Sequence, residues 1–135
     1  MDIELGINTK DCDDLMPLIV ATGLGNWGAV GILLDNNADT ENVDQEGNTP
    51  LLLAAQNQHQ KVVWLLPRAE ADINMPNSSG KTALMVAAKV GSDAVVRMFL
   101  KDGADIDATD HDGNTALDLA EAGDHKKVID LLQND

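Results

Sequence analysis

Asp105 to Gly113 reads DIDATDHDG, a run of carboxylates that could in principle ligate calcium. Taking Gly113 as the invariant glycine of such a loop puts Asp110 and Asp112 at its third and fifth ligand positions. The first ligand is then Ala108, and the bidentate acid that should close the shell is Leu119. Two key ligands are missing, so the segment reads as an Asp-rich turn and not as an EF-hand. His59, His111 and His125 have no partner four residues away and no cysteine pair nearby, which argues against zinc. Cys12 is the single cysteine and lies among Asp11, Asp13 and Asp14, a negative setting that disfavours a reactive thiolate. GLGNWG at 23–28 has glycines but no Lys-Ser/Thr ending, and it follows a helical stretch. It reads as a loop between two helices, with Trp27 packed there as a structural residue. No catalytic, metal or cofactor constellation emerges.

The elements that would position any functional side chain follow a fixed period. Asp44 to Pro76 (DQEGNTPLLLAAQNQHQKVVWLLPRAEADINMP) is repeated 33 residues later from Asn77 to Thr109 (NSSGKTALMVAAKVGSDAVVRMFLKDGADIDAT). A third copy starts at Asp110 and stops short, and a blurred one starts at Asp11. The organisation is a lead-in over 1–10, a degenerate unit over 11–43, units over 44–76 and 77–109, and a C-terminal capping unit over 110–135. Such a period marks a stacked array in which each unit leans on its neighbours.

Within the second unit, Gly47 and Asn48 make a turn, Thr49 caps a helix that tolerates Pro50 in its first turn, and LLLAAQN continues it. A second helix, from about His59 to Arg68, carries Val62, Val63, Leu65 and Leu66 at helical spacing. The polar segment ADIN then leads to the next turn. In the third unit Gly91 separates the helices and Gly103 follows the second one, where a left-handed residue is wanted. The polar residues Asp118, Glu121, His125, Lys126, Lys127 and Asp130 suit the last unit to a solvent-facing cap. In the first unit, Leu15, Met16, Leu18, Ile19 and Val20 form an apolar run that needs covering, by residues 1–10 or by another molecule.

Twenty-three acids against nine bases give a net charge of −14. That argues against phosphate-driven nucleic-acid binding and disfavours anionic membranes; the charge either serves only to prevent aggregation or, if it has a functional meaning, points to a basic partner. The first ten residues lack the basic start and apolar run of a signal peptide, so the expectation is a soluble, cytoplasmic protein.

G-N-T-P-L at 47–51, V-V-x-L-L at 62–66 and A-D-I-N at 71–74 resemble the ankyrin repeat. So do G-K-T-A-L with A-A at 80–88 and G-A-D-I-D-A at 103–108. The resemblance covers residues 11–135 and implies an all-α solenoid of stacked helix-turn-helix units with projecting β-turn fingers. It also implies a non-catalytic module, without cofactors, that binds a protein or peptide. The histidine of the family's Thr-Pro-Leu-His signature is replaced by Leu52, Met85 and Asp118, so the loop-to-loop ties it makes are not expected. Gln58 and Glu70 stand where glycines are expected and Pro67 sits near the end of a helix, which marks unit two as the weak layer. Asn37 in unit one is a milder change at such a position.

By family phase, Asp44 and Asp110 shape the turns. The contact residues implied at the finger tips are Gln45, Glu46, Asn48, Ser78, Ser79, Lys81, His111, Asp112 and Asn114. Those on the inner helix face are Gln56, Asn57 and Lys89. Trp64 falls where the family places a polar outward residue; it is either a contact residue or a cover folded over Pro67. The expected partner exposes Lys or Arg, with a monomer favoured over a homodimer. The competing readings are a subunit that self-assembles through its apolar first unit, or a binder engineered on this scaffold.

Overall fold

The computed structural model describes residues 17–133, which fold as eight α-helices with no strand among the described residues. The pairs are α1 (Pro17–Gly23) with α2 (Trp27–Asp35), and α3 (Pro50–Gln56) with α4 (Gln60–Arg68). They continue with α5 (Ala83–Val90) and α6 (Asp93–Lys101), then α7 (Ala116–Ala122) and α8 (Lys126–Gln133). The readings placed on the lead-in 1–10, on Cys12 and on Leu15 and Met16 lie outside the described residues.

Small residues set the stacking. Ala54, Ala55, Ala87, Ala88 and Ala120 are completely buried, and with no bulk beyond Cβ they let α1, α3, α5 and α7 pack directly on one another. The second helices form a parallel row, α2 on α4 on α6 on α8. Between the rows lies one continuous apolar layer, in which Leu51, Val62, Val63 and Leu66 meet Leu84, Val95, Val96 and Phe99. At ~25 cal/mol per Å² of apolar surface removed from water, this shared layer is the main source of stability.

The start of each first helix follows from its threonine. The Thr49, Thr82 and Thr115 hydroxyls accept hydrogen bonds from the N–H groups of Leu52, Met85 and Asp118, satisfying donors that a helix start leaves unpaired. Asp118 also accepts from the Thr115 N–H at 3.0 Å, completing a capping box.

Asn37, Gln58 and Glu70 adopt the left-handed conformation expected of them, with φ of 65°, 58° and 68°. Asp124, at 56°, joins them, because the last unit has its glycine one residue early, at Gly123. Pro67 lies in the last turn of α4, where it withholds one donor without ending the helix. Two readings need correction. Trp27 is not packed in a loop: it begins α2 and is 53% exposed. His125 does not belong to the polar coat of the cap, since its ring sits half-buried against the preceding unit.

Candidate recognition surface

Each finger is built around one Asx residue. Asp44 Oδ1 accepts from the N–H groups of Glu46 and Asn48, both at 2.9 Å, which closes the turn on itself. Asn77 does the same with Ser79 and Lys81, and Asp110 with Asp112 and Asn114. The Asp-rich segment that resembled a calcium loop therefore spends its central carboxylate on its own backbone. Among the described residues no group of three or more His, Cys, Asp or Glu side chains is placed to hold a metal ion.

The fingers are also tied to one another. The Ser78 N–H donates to the Glu46 carbonyl at 3.1 Å, and the His111 N–H donates to the Ser79 carbonyl at 3.0 Å. This contact needs glycine on the receiving side: a Cβ on Gly80, whose φ is +80°, would stand 2.6 Å from the His111 ring. A second set of ties joins the connecting segments, where Glu41 accepts from the Asp72 N–H and Asn74 from the Asp105 N–H, each at 2.8 Å.

These ties divide the sequence-predicted contact residues. Gln45, Glu46, Ser78, Ser79, His111 and Asp112 are exposed along one strip of adjacent turns. Gln56, Asn57 and Lys89 are exposed at the ends of α3 and α5. Asn48, by contrast, is buried as a strut: its amide donates to Asp44 and its oxygen accepts from Asn77 at 3.0 Å. Lys81 is spent internally as well, with Nζ 3.3 Å from the buried Asp110 carboxylate. Asn114 is half-buried beside that same carboxylate. The Asp110 carboxyl is held below its ordinary range chiefly by the Asn114 N–H. Burial works against this, while Lys81 and the Asp112 N–H add to the lowering.

Two histidines, His59 and His125, supply ties between units that the sequence reading did not assign. A peptide carbonyl can only accept, so the Nε2 of His59 donates to Gly23 O at 3.3 Å and that of His125 to Lys89 O at 3.0 Å. Each ring lies over the glycine of the previous unit's inter-helix turn, Gly25 and Gly91 respectively. The two positions, 59 and 125, are two periods apart. At the same phase, Asn26 and Ser92 instead cap their own helices, accepting from the Ala29 and Val95 N–H groups.

Trp64 does not fold into the interior. It is 49% exposed, with the Arg68 guanidinium 3.9 Å from its ring centroid. It belongs to the outer row of second helices, on the opposite side of the stack from the inner positions on α3 and α5.

A one-dimensional stack of helix pairs bearing a strip of linked turns defines the class: a helical-repeat solenoid. A family model for ankyrin repeats (3 copies) matches residues 3–77, and one for ankyrin repeats (many copies) matches residues 68–120. The chain belongs to the ankyrin repeat family, whose members are generally protein–protein interaction modules. It is 40% identical over 52 residues to a transient receptor potential cation channel subfamily A member 1 homolog from Caenorhabditis elegans. That stretch is 38% of this chain and 4% of the channel homolog. No helix among the described residues is long and apolar enough to cross a membrane.

Proposed function

We propose that this chain is a non-catalytic recognition module that grips a protein or peptide displaying Lys or Arg, using its finger strip and the adjoining ends of α3 and α5. The observation that carries this reading is the linkage of the fingers. Their tips are exposed, while their backbones are hydrogen-bonded to one another, so little ordering entropy is lost on binding. The charge distribution supports a basic partner. Outside the second helices, the described residues carry only Lys81 and Lys89 against the large majority of the acids, and Lys81 is already paired. Glu46 and Asp112 are the exposed tip carboxylates that would meet the partner's cations; Gln45, Ser78, Ser79 and His111 supply directional hydrogen bonds.

The test is the affinity of a peptide selected on the chain and rich in Lys and Arg, measured by calorimetry. Glu46→Lys with Asp112→Lys should weaken it by about tenfold to a hundredfold and flatten its salt dependence, as expected for lost charge pairs. Unchanged affinity in that double variant would remove the fingers from the binding site.

A second reading, self-assembly through the first unit, rests on Leu24 and Ile32, which are 75% and 59% exposed beside a shallow apolar concavity lined by Pro17, Val20, Ala29 and Leu33. Light scattering at low and high salt tests it. A dimer that persists in salt and is abolished by Leu24→Lys would favour it, and a monomer at micromolar concentration would exclude it. Leu18 and Ile19 are unsuitable for such a test because both are buried.

A further inference from the structure

The row of second helices has the opposite electrostatic character to the fingers. It carries Lys61, Arg68, Arg97, Lys101, Lys126 and Lys127 against Asp35, Asp93 and Asp130. Six of the chain's nine basic residues thus lie on helices that hold three of its twenty-three acids. Asp93 is engaged by Arg97 at 3.7 Å; among the described residues no carboxylate pairs with Lys61, Arg68 or Lys101.

Toward the N-terminal end of this row, where α2, α4 and α6 meet, lies an open groove of ≈ 440 Å³, lined by Trp27, Gln60, Lys61, Trp64, Leu65 and Met98. It is large enough to accept bulky side chains but too open to enclose a small molecule. Trp27 and Trp64 line it half-exposed, leaving on the order of 200 Å² of indole surface in water. Single exposed apolar residues need no explanation, but two tryptophans sharing one groove with Leu65 and Met98 form a patch of the kind that marks an interface. Trp27, Gln60, Asp93 and Lys126 share one phase of the repeat, as do Trp64, Arg97 and Asp130. Helix packing therefore requires tryptophan at neither position.

The chemistry of an occupant follows from what already covers the rings. Lys61 Nζ sits 4.4 Å from the Trp27 centroid, and the Arg68 guanidinium 3.9 Å from that of Trp64. One face of each ring already carries one of the protein's own cations, whose charge would repel a cationic ligand. Polynucleotides also use basic grooves with stacking aromatics. Here, however, a polyanion would approach a chain of net charge −14, with Asp35, Asp93 and Asp130 interrupting the basic row. A short segment with few charges avoids most of that repulsion.

We propose that the outer groove docks an acidic peptide segment of a partner protein. Its apolar anchor enters between Trp27 and Trp64 onto Leu65 and Met98, and its flanking carboxylates pair with Lys61 and Arg68. This surface lies on the other side of the stack from the inner ends of α3 and α5 and takes a partner of opposite charge, so it stands or falls independently of the finger site.

The test uses a displayed library of random short peptides, selected on the wild-type chain and counter-selected on Trp27→Ala with Trp64→Ala. Peptides retained by the first and not the second should be enriched in Asp and Glu around a Leu, Phe or Trp. Synthetic copies should bind at least about thirtyfold more weakly to Trp64→Ala, as for a binding hot spot. Lys61→Glu with Arg68→Glu, which keeps both indoles and guards against misfolding of the tryptophan variant, should abolish binding. Glu46→Lys with Asp112→Lys should leave it unchanged. The proposal is overturned if no selected peptide depends on the tryptophans or if those that do are basic. It is equally overturned if a random-sequence single-stranded oligonucleotide binds there, or if the chain alone forms a dimer that Trp64→Ala dissolves.

Discussion

Replacing Gln58 by glycine and Ser92 by histidine, singly and together, perturbs the one junction among the described residues that lacks an imidazole tie. At the other two junctions among the described residues a glycine faces a histidine, Gly25 with His59 and Gly91 with His125. Between the second and third units the same positions hold Gln58, at φ 58°, and Ser92, which caps α6. A Cβ on Gly25 would stand 2.6 Å from the His59 ring, so side chain and imidazole exclude each other. Gln58 is tolerated because Ser92 brings no ring. Gln58→Gly alone relieves roughly 1–2 kcal/mol of left-handed strain and loses roughly 0.5–1 kcal/mol to glycine's unfolded-state freedom, a net gain of about 0.5–1 kcal/mol. Ser92→His alone removes a cap worth about 1 kcal/mol and drives a ring against the Gln58 Cβ, for a loss of about 2 kcal/mol or more. In the double variant the ring lies over glycine and its Nε2 can donate to the Gln56 carbonyl, returning about 1 kcal/mol. The double variant should therefore exceed wild type slightly in stability, with a coupling energy of about 2 kcal/mol. Urea unfolding followed by far-ultraviolet circular dichroism reads all four proteins. Additivity within about 0.5 kcal/mol would refute the claim that ring and side chain compete for one space.

Two further outcomes follow from single residues. The Asp110 carboxyl has a folded-state pKa below its ordinary value of 3.8, so its contribution is complete above that value and is lost as pH falls through the lower folded value. Asp110→Asn should reduce the steepness with which the thermal midpoint drops in that acid range; an unchanged profile would contradict the assignment. The Thr22 hydroxyl is fully buried and has no hydrogen-bond partner among the described residues, at a phase where the next two units have Ala55 and Ala88. Thr22→Ala should raise stability by about 1 kcal/mol in the same urea assay, and a loss would mean that the hydroxyl is satisfied in solution.

Much of the fold was legible because the repeat states each local instruction more than once. Thr49, Thr82 and Thr115 recur in phase, and each caps a helix. Asn37, Gln58 and Glu70 could be assigned a left-handed conformation because Gly25, Gly91 and Gly103 hold the corresponding positions in other units. What sequence spacing could not resolve were contacts between units. His59 and His125 reach back 36 residues to a carbonyl, and nothing local distinguishes a histidine that caps its own helix from one that bridges. Asn48 and Lys81 looked like finger-tip contacts because turn residues are usually exposed; their side chains instead face the neighbouring finger. Trp27 was misplaced because the glycines around it suggested a loop, whereas Asn26 caps a helix that begins at Trp27. Its partnership with Trp64 arises only when α2 packs on α4.

The most direct test of the recognition account is a nuclear magnetic resonance titration of the isotopically labelled chain with its selected Lys/Arg-rich peptide. The account predicts that the largest amide shifts fall on Gln45, Glu46, Ser78, Ser79, His111 and Asp112, with the indole N–H signals of Trp27 and Trp64 unmoved. Shifts concentrated in α1 and α2, or at the two indoles while the finger amides stay fixed, would contradict it.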